Sequence, residues 1–268
     1  VGLGLVGKKL QIESTGAQID AAALLTTLTS MGASGEVDEV IKLPSKSNKL
    51  IVFTGLGKIE SNFSPELLRR AAGAAARHLL GNDSASFALP HKSVAEIAAI
   101  AEGAALGSYA FTEFRGSSKS AQKNPLSSIT VVTRFANTAQ AKTAIKRAEI
   151  IAEQTFLVRD LINTPPSSLT PDSFCLRTKK LASKYGVKVE ILNDAALRKG
   201  GYGGIIGVGQ GSANPPRLLH LTYSPTKAKK RFAFVGKGIT FDTGGLALKP
   251  ANGMEAMKAD MSGAAAVV

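Results

Sequence analysis

Apolar and polar positions along the chain switch between short runs of period two and longer stretches of period 3.6, the signatures of strands and helices. Residues 1–7, Val-Gly-Leu-Gly-Leu-Val-Gly, read as a buried strand with a turn, and Leu50-Ile-Val-Phe-Thr54, ended by Gly55, as a second strand. Ser64-Pro65-Glu66 supplies a cap, a proline for the first turn and an early acid, and opens a helix that Gly81 closes. Leu67, Ala71, Ala74 and His78 fall on one face of it, so His78 is expected as a partly buried helix residue rather than a ligand. Residues 86–89 suggest a strand ended by Pro90, and an Ala-rich helix follows over 94–109. Residues 116–128 are polar and Ser/Lys-rich, an exposed loop, and the β-branched run 129–133 is a strand.

A long helix comes next. Asn137 or Thr138 can cap it, and Ala141, Ala144, Ala148, Ile151, Thr155 and Val158 mark its stripe. It stops near Asn163, because Pro165 and Pro166 cannot continue it. Beyond it, Thr170-Pro171 starts a helix that Gly186 ends, 187–192 is a strand, and a short helix leads to a Gly-rich stretch over 200–211 that reads as a strand edge. Residues 217–223 and 231–235 read as two more strands. This alternation argues for an α/β fold: an N-terminal α/β domain over 1–136, a connector helix over 137–163, and the first part of an α/β catalytic domain with a mixed sheet over 164–268.

Composition narrows the class. The chain has 268 residues, 44% hydrophobic and 20% charged, as in globular proteins rather than disordered ones. One cysteine, Cys175, excludes an internal disulfide framework, fits a reducing compartment such as the cytoplasm, and is expected in a buried helix. No apolar run approaches the ~20 residues of a membrane span. The formal charge of +13 can attract polyanions, but the basic residues are dispersed. The densest group, Lys227 to Arg231, lacks interleaved aromatics, so nucleic-acid binding is expected to be weak.

Two tempting motifs fail. Gly207-Val-Gly209-Gln-Gly211-Ser212 has serine where a dinucleotide fingerprint needs its third glycine, and Pro215-Pro216 follow. Thr54-Gly-Leu-Gly-Lys58 has Val52 and Ile59 where a phosphate loop needs glycine and Ser or Thr. The three histidines lack zinc-protease spacing.

Residues 232–261 carry more. A lysine, Lys237, sits at the carboxyl end of an expected strand, where α/β sheets place their sites. Asp242 precedes Gly244-Gly245, and Lys249 and Asp260 follow. Two carboxylates and two lysines in Gly-rich loops suit hard divalent cations or a polyanion, and equally suit surface ion pairs. Spacing alone leaves these readings open.

The pattern Lys237-Gly-x-x-Phe-Asp242-Thr-Gly-Gly, Lys249-Pro, Met257-Lys-x-Asp260-Met resembles the catalytic core of the leucyl aminopeptidase family. Arg159-Asp-Leu-Ile-Asn163-Thr-Pro-Pro and Gly207-Val-Gly-Gln-Gly211-Ser resemble its entry segment and its Gly-rich strand. The likeness is strong over about 155–268. It implies that Lys237, Asp242 and Asp260 are ligands of two divalent cations (Mn or Zn) per subunit, with Asp242 bridging. It implies that Lys249 is the catalytic lysine and that Met257 lines the pocket for the first side chain. It further implies hydrolysis of N-terminal residues from peptides, with a leucine-type preference, by a homo-hexamer. The family's second acidic motif, Asn-Thr-Asp-Ala-Glu-Gly-Arg, does not follow Asn137-Thr138 or Asn163-Thr164. The chain is therefore expected to be a fragment, or else a degenerate homologue with a structural or DNA-binding role. As written it should hold metals poorly and not turn over.

Overall fold

The computed structural model describes residues 1–45 and 49–268. Contacts divide the chain into two units, Val1–Phe156 and Leu157–Val268. The first is built on strands Gly2–Val6 (β1), Lys9–Glu13 (β2), Val40–Pro44 (β3) and Leu50–Lys58 (β4), in the order β2-β1-β4-β3. β1 and β4 run parallel and the other neighbours antiparallel, so the sheet is mixed.

β4 shows how the pleat sorts its neighbours. Phe53 points to one face, into a core with Leu3, Leu43 and Leu28 of helix α1 (Ala21–Ser30). Val52 and Leu56 point to the other, against helices α2 (Pro65–Arg77) and α3 (Val94–Gly107). Thr54 shares that second face, and its buried hydroxyl donates to the Ala71 carbonyl at 3.0 Å. Strands Ser84–Phe87 (β5) and Ser128–Val131 (β6) form a separate parallel pair. The cap expected for α2 is made, as Ser64 accepts from the Leu67 N–H, and α3 opens on a capping box of Ser93 with Glu96.

α2 and α3 lie unusually close because glycines face each other across them. A Cβ on Gly103 would stand 2.0 Å from the Arg69 carbonyl oxygen, and one on Gly107 2.5 Å from that of Gly73. No side chain larger than hydrogen fits there.

The long helix α4 (Ala139–Asn163) is capped by Thr138, whose hydroxyl accepts from the Ala141 N–H at 3.3 Å, and it ends at Asn163. The division between the two units falls within it. The second unit continues through α5 (Pro171–Ala182), β7 (Lys188–Leu192), α6 (Asp194–Lys199), α7 (Gly203–Gly209) and β8 (Leu218–Thr222). β7 and β8 pair antiparallel. Two short helices, α8 (Ala251–Met254) and α9 (Ser262–Val267), close the chain, with a 3₁₀ turn over Glu255–Ala259 between them. Met261 is fully buried with Leu161, Leu169, Phe174 and Ala265. Cys175 is buried in α5, as expected.

Several expectations fail for local reasons. The Gly-rich stretch is not a strand edge: residues 203–209 form α7, whose backbone is satisfied internally by Ile206 N–H to Tyr202 O (3.1 Å) and extended by Gln210 N–H to Ile206 O (2.8 Å). Residues 231–235 form no strand, since no neighbour pairs with them, and Phe232, Phe234 and Val235 are exposed. His78 caps the end of α2 and lies in solvent rather than on the buried face. β2, α1 and β3 were not anticipated, although Asp20 caps α1 with the same signal that marked α2.

Candidate metal centre

Close backbone approach assembles the site. A Cβ on Gly236 would meet the Gly263 carbonyl oxygen at 2.3 Å, so only glycine allows the chain before Lys237 to touch the start of α9. The Ala264 N–H then donates to the Lys237 carbonyl at 2.9 Å. That contact brings Lys237 beside Asp260, which ends the 3₁₀ turn, and their side chains meet at 2.8 Å.

The second pair forms within one loop. The Asp242 carboxylate accepts the Gly244 N–H at 2.8 Å, and Gly244 and Gly245 have φ of 92° and 69°. A side chain at 244 would also strike the Ala247 carbonyl oxygen at 2.4 Å. The turn is closed by Lys249 N–H to Thr243 O at 2.9 Å. It carries the Lys249 ammonium back to the Asp242 carboxylate at 2.7 Å, while the same ammonium lies 3.2 Å from the Met257 sulfur.

All five residues singled out in the sequence thus lie in contacts within 236–264, as Lys237–Asp260 and Lys249–Asp242 with Met257 beside Lys249. The two pairs sense each other. The Asp260 carboxylate raises the Lys237 pKa above its ordinary value, and Asp242 adds a smaller pull. Lys249, and next the Gly244 N–H, hold the Asp242 carboxyl below the usual range, with Lys237 contributing last. Each ammonium stands where a cation would balance a carboxylate.

Asp260 Oδ2 is buried, and the partner that balances it is the Lys237 ammonium 2.8 Å away. A buried carboxylate oxygen is costly unless a cationic partner balances it, and oxygen of this kind suits a hard divalent cation. The donor set therefore fits a metal. Among the described residues no cluster of three or more His, Cys, Asp or Glu occurs, so Asp242 and Asp260 with the Lys237 amine are the donors at hand. The motif pointed to these side chains; it gave no signal for the contact between Gly236 and Gly263, which are distant in sequence.

Two family models describe the chain in succession: the N-terminal domain of the cytosol aminopeptidase family over residues 4–118, and the catalytic domain of the same family over 156–268. The chain belongs to the cytosol aminopeptidase family. Among its relatives, a probable cytosol aminopeptidase of Streptomyces coelicolor is 46% identical over 263 residues, covering 91% of this chain and 51% of that protein. One from Micrococcus luteus is 42% identical over 275 residues, covering 100% of this chain and 54% of that protein. Of solved structures, the bottromycin maturation enzyme BotP in complex with Mn superposes with a TM-score of 0.75 at 34% identity, over 94% of this chain and 52% of that one. The cytosol aminopeptidase from Coxiella burnetii does so at 0.69 and 26%, over 89% and 47%. The chain spans about half the length of the curated relatives it matches. No helix among the described residues is long and apolar enough to cross a membrane.

Proposed function

We propose that this chain carries part of the active site of a metal-dependent aminopeptidase that hydrolyses unsubstituted N-terminal residues, leucine foremost, from peptides in intracellular peptide turnover. The observation that carries the reading is the coupled set Lys237–Asp260 and Lys249–Asp242, held on Gly-rich turns with one carboxylate oxygen buried against an ammonium. Asp242, Asp260 and the Lys237 amine would hold the divalent cations. When bound, such cations supply Lewis-acid polarisation and a water acidic enough to act as nucleophile. As a ligand, Lys237 must give up its proton, whereas Lys249 must keep its own. Lys249 then donates from its ammonium to the oxygen on which negative charge develops. Its distance to the Met257 sulfur, 3.2 Å, supports Met257 as a wall beside that oxygen and near the first side chain of the peptide.

Three further parts of the reading rest on the family. Residues 137–163 serve as a connector between an N-terminal domain over 1–136 and the catalytic part over 164–268. The whole protein assembles as a homo-hexamer in the cytoplasm. Manganese is the first cation to test, since BotP is described in complex with Mn, and zinc is the second.

The whole protein should release the chromophore of a leucine arylamide, lose that activity to a chelator, and regain it with Mn²⁺ or Zn²⁺. Undiminished turnover after thorough metal stripping would sink the proposal.

A further inference from the structure

Lys258 lies between Met257 and Asp260 in sequence but contacts neither carboxylate of the site. It is half-buried, and its ammonium reaches the main-chain carbonyl of Asn163, the last residue of α4, at 3.4 Å. The carboxyl end of a long helix bears partial negative charge and carbonyls without intrahelical partners, so an ammonium is favoured there. Just past Asn163, the Thr164 hydroxyl serves the Asp160 carbonyl at 2.7 Å. The Thr164 N–H is spent on Asp160 O at 2.9 Å, and Pro165 and Pro166 have no N–H.

The turn that Lys258 ties down is also held by apolar packing. Met261 is fully buried beside Leu161 of α4, and the Asp260 N–H bonds back to Met257 O at 3.2 Å. Lys258 adds a polar tie to the same helix. Asp260 thus lies in sequence between an apolar anchor and a hydrogen-bonded one, both on α4.

We infer that Lys258 is a positioning residue: it fastens the 255–260 turn to the carboxyl end of α4 and so fixes where the Asp260 carboxylate points. The consequence for metal rests on the proposed function; the tie itself does not. Two substitutions separate the ammonium from its stem. Lys258→Met keeps the apolar stem and loses the donor, and Lys258→Arg keeps a cationic donor.

The test uses the 268-residue chain. Amide exchange without metal should quicken tenfold or more across 257–262 in Lys258→Met, much less in Lys258→Arg, and not at all in α2 and α3. Calorimetric titration with Mn²⁺ alone should show affinity 10–100-fold weaker in Lys258→Met and near wild type in Lys258→Arg, the range expected when the support of a ligand is removed. Unchanged exchange over 257–262, or exchange raised throughout the chain, overturns the inference, and so does a loosened turn with unaltered Mn²⁺ affinity. Absence of measurable Mn²⁺ binding by the wild-type chain is what its partial ligand set predicts, and amide exchange alone then decides the tie.

Discussion

Lys237 and Lys249 are the same residue type twelve positions apart, and each faces an aspartate at under 3 Å. Only their surroundings separate their proposed roles. Lys237→Ala removes a metal donor, so the metal content of the whole protein should fall. Lys249→Ala should leave both cations in place and lower turnover ~10²–10³-fold, the usual cost of one oxyanion donor. Lys249→Arg keeps charge but neither reach nor shape, and should rescue little. Metal analysis beside turnover checks the assignment, and metal loss from Lys249→Ala would reverse it. These side chains were legible because the motif spans many fixed positions. Which ammonium meets which carboxylate was not: Lys237–Asp260 depends on Gly236 meeting Gly263, and Lys249–Asp242 on the Gly244 turn. Cys175 offers a separate test. Burial pushes its thiol up from 9.0 to about 11. The unfolded chain then loses this proton first, so the stability tied to the protonated thiol is complete below pH 9 and lost as pH rises to 11. Its size is about 2–3 kcal/mol at most. Urea melts of wild type and Cys175→Ala at pH 8 and pH 11 should show the wild-type advantage shrinking by that order; a constant difference would mean the thiol titrates normally.

Among the elements, those with a cap, a period and a stop could be read directly: α2, α4 and α5 all begin at the polar residue expected of them. Elements decided by neighbours could not. Residues 231–235 have the apolar alternation of a strand but no partner to pair with, and α7 takes helical bonds despite four glycines in seven residues. The same distinction gives opposite signs to one substitution. Gly→Ala inside a helix normally gains about 0.5–1 kcal/mol. At Gly204, where nothing lies within 4 Å, that gain should appear. At Gly103 the new methyl would lie 2.0 Å from the Arg69 carbonyl oxygen, backbone that cannot swing aside, so overpacking of about 3 kcal/mol should outweigh it. Thermal melts of the two variants decide the matter, and a Gly103→Ala chain as stable as wild type would show that α2 and α3 can part without cost.

For the molecule as a whole, a charge of +13 on 268 residues means that copies of the chain repel one another. Family membership accounts for the chain without a nucleic-acid role, and the basic residues gather nowhere more densely than at Lys227, Lys229, Lys230 and Arg231. What those four residues precede gives them a colloidal meaning. Directly after them comes Phe232-Ala-Phe-Val235, unpaired, with its large side chains 78–95% exposed. Short, uncharged, β-prone segments of this kind seed cross-β stacking between chains, and flanking charges act as gatekeepers because stacking would bring like charges within 5 Å of each other. Replacing the four basic residues with glutamine should therefore speed thioflavin-positive aggregation without moving the melting temperature, and added salt should do the same to the wild type. If neither does, the segment is harmless, and the chain's solubility does not depend on where its charge lies.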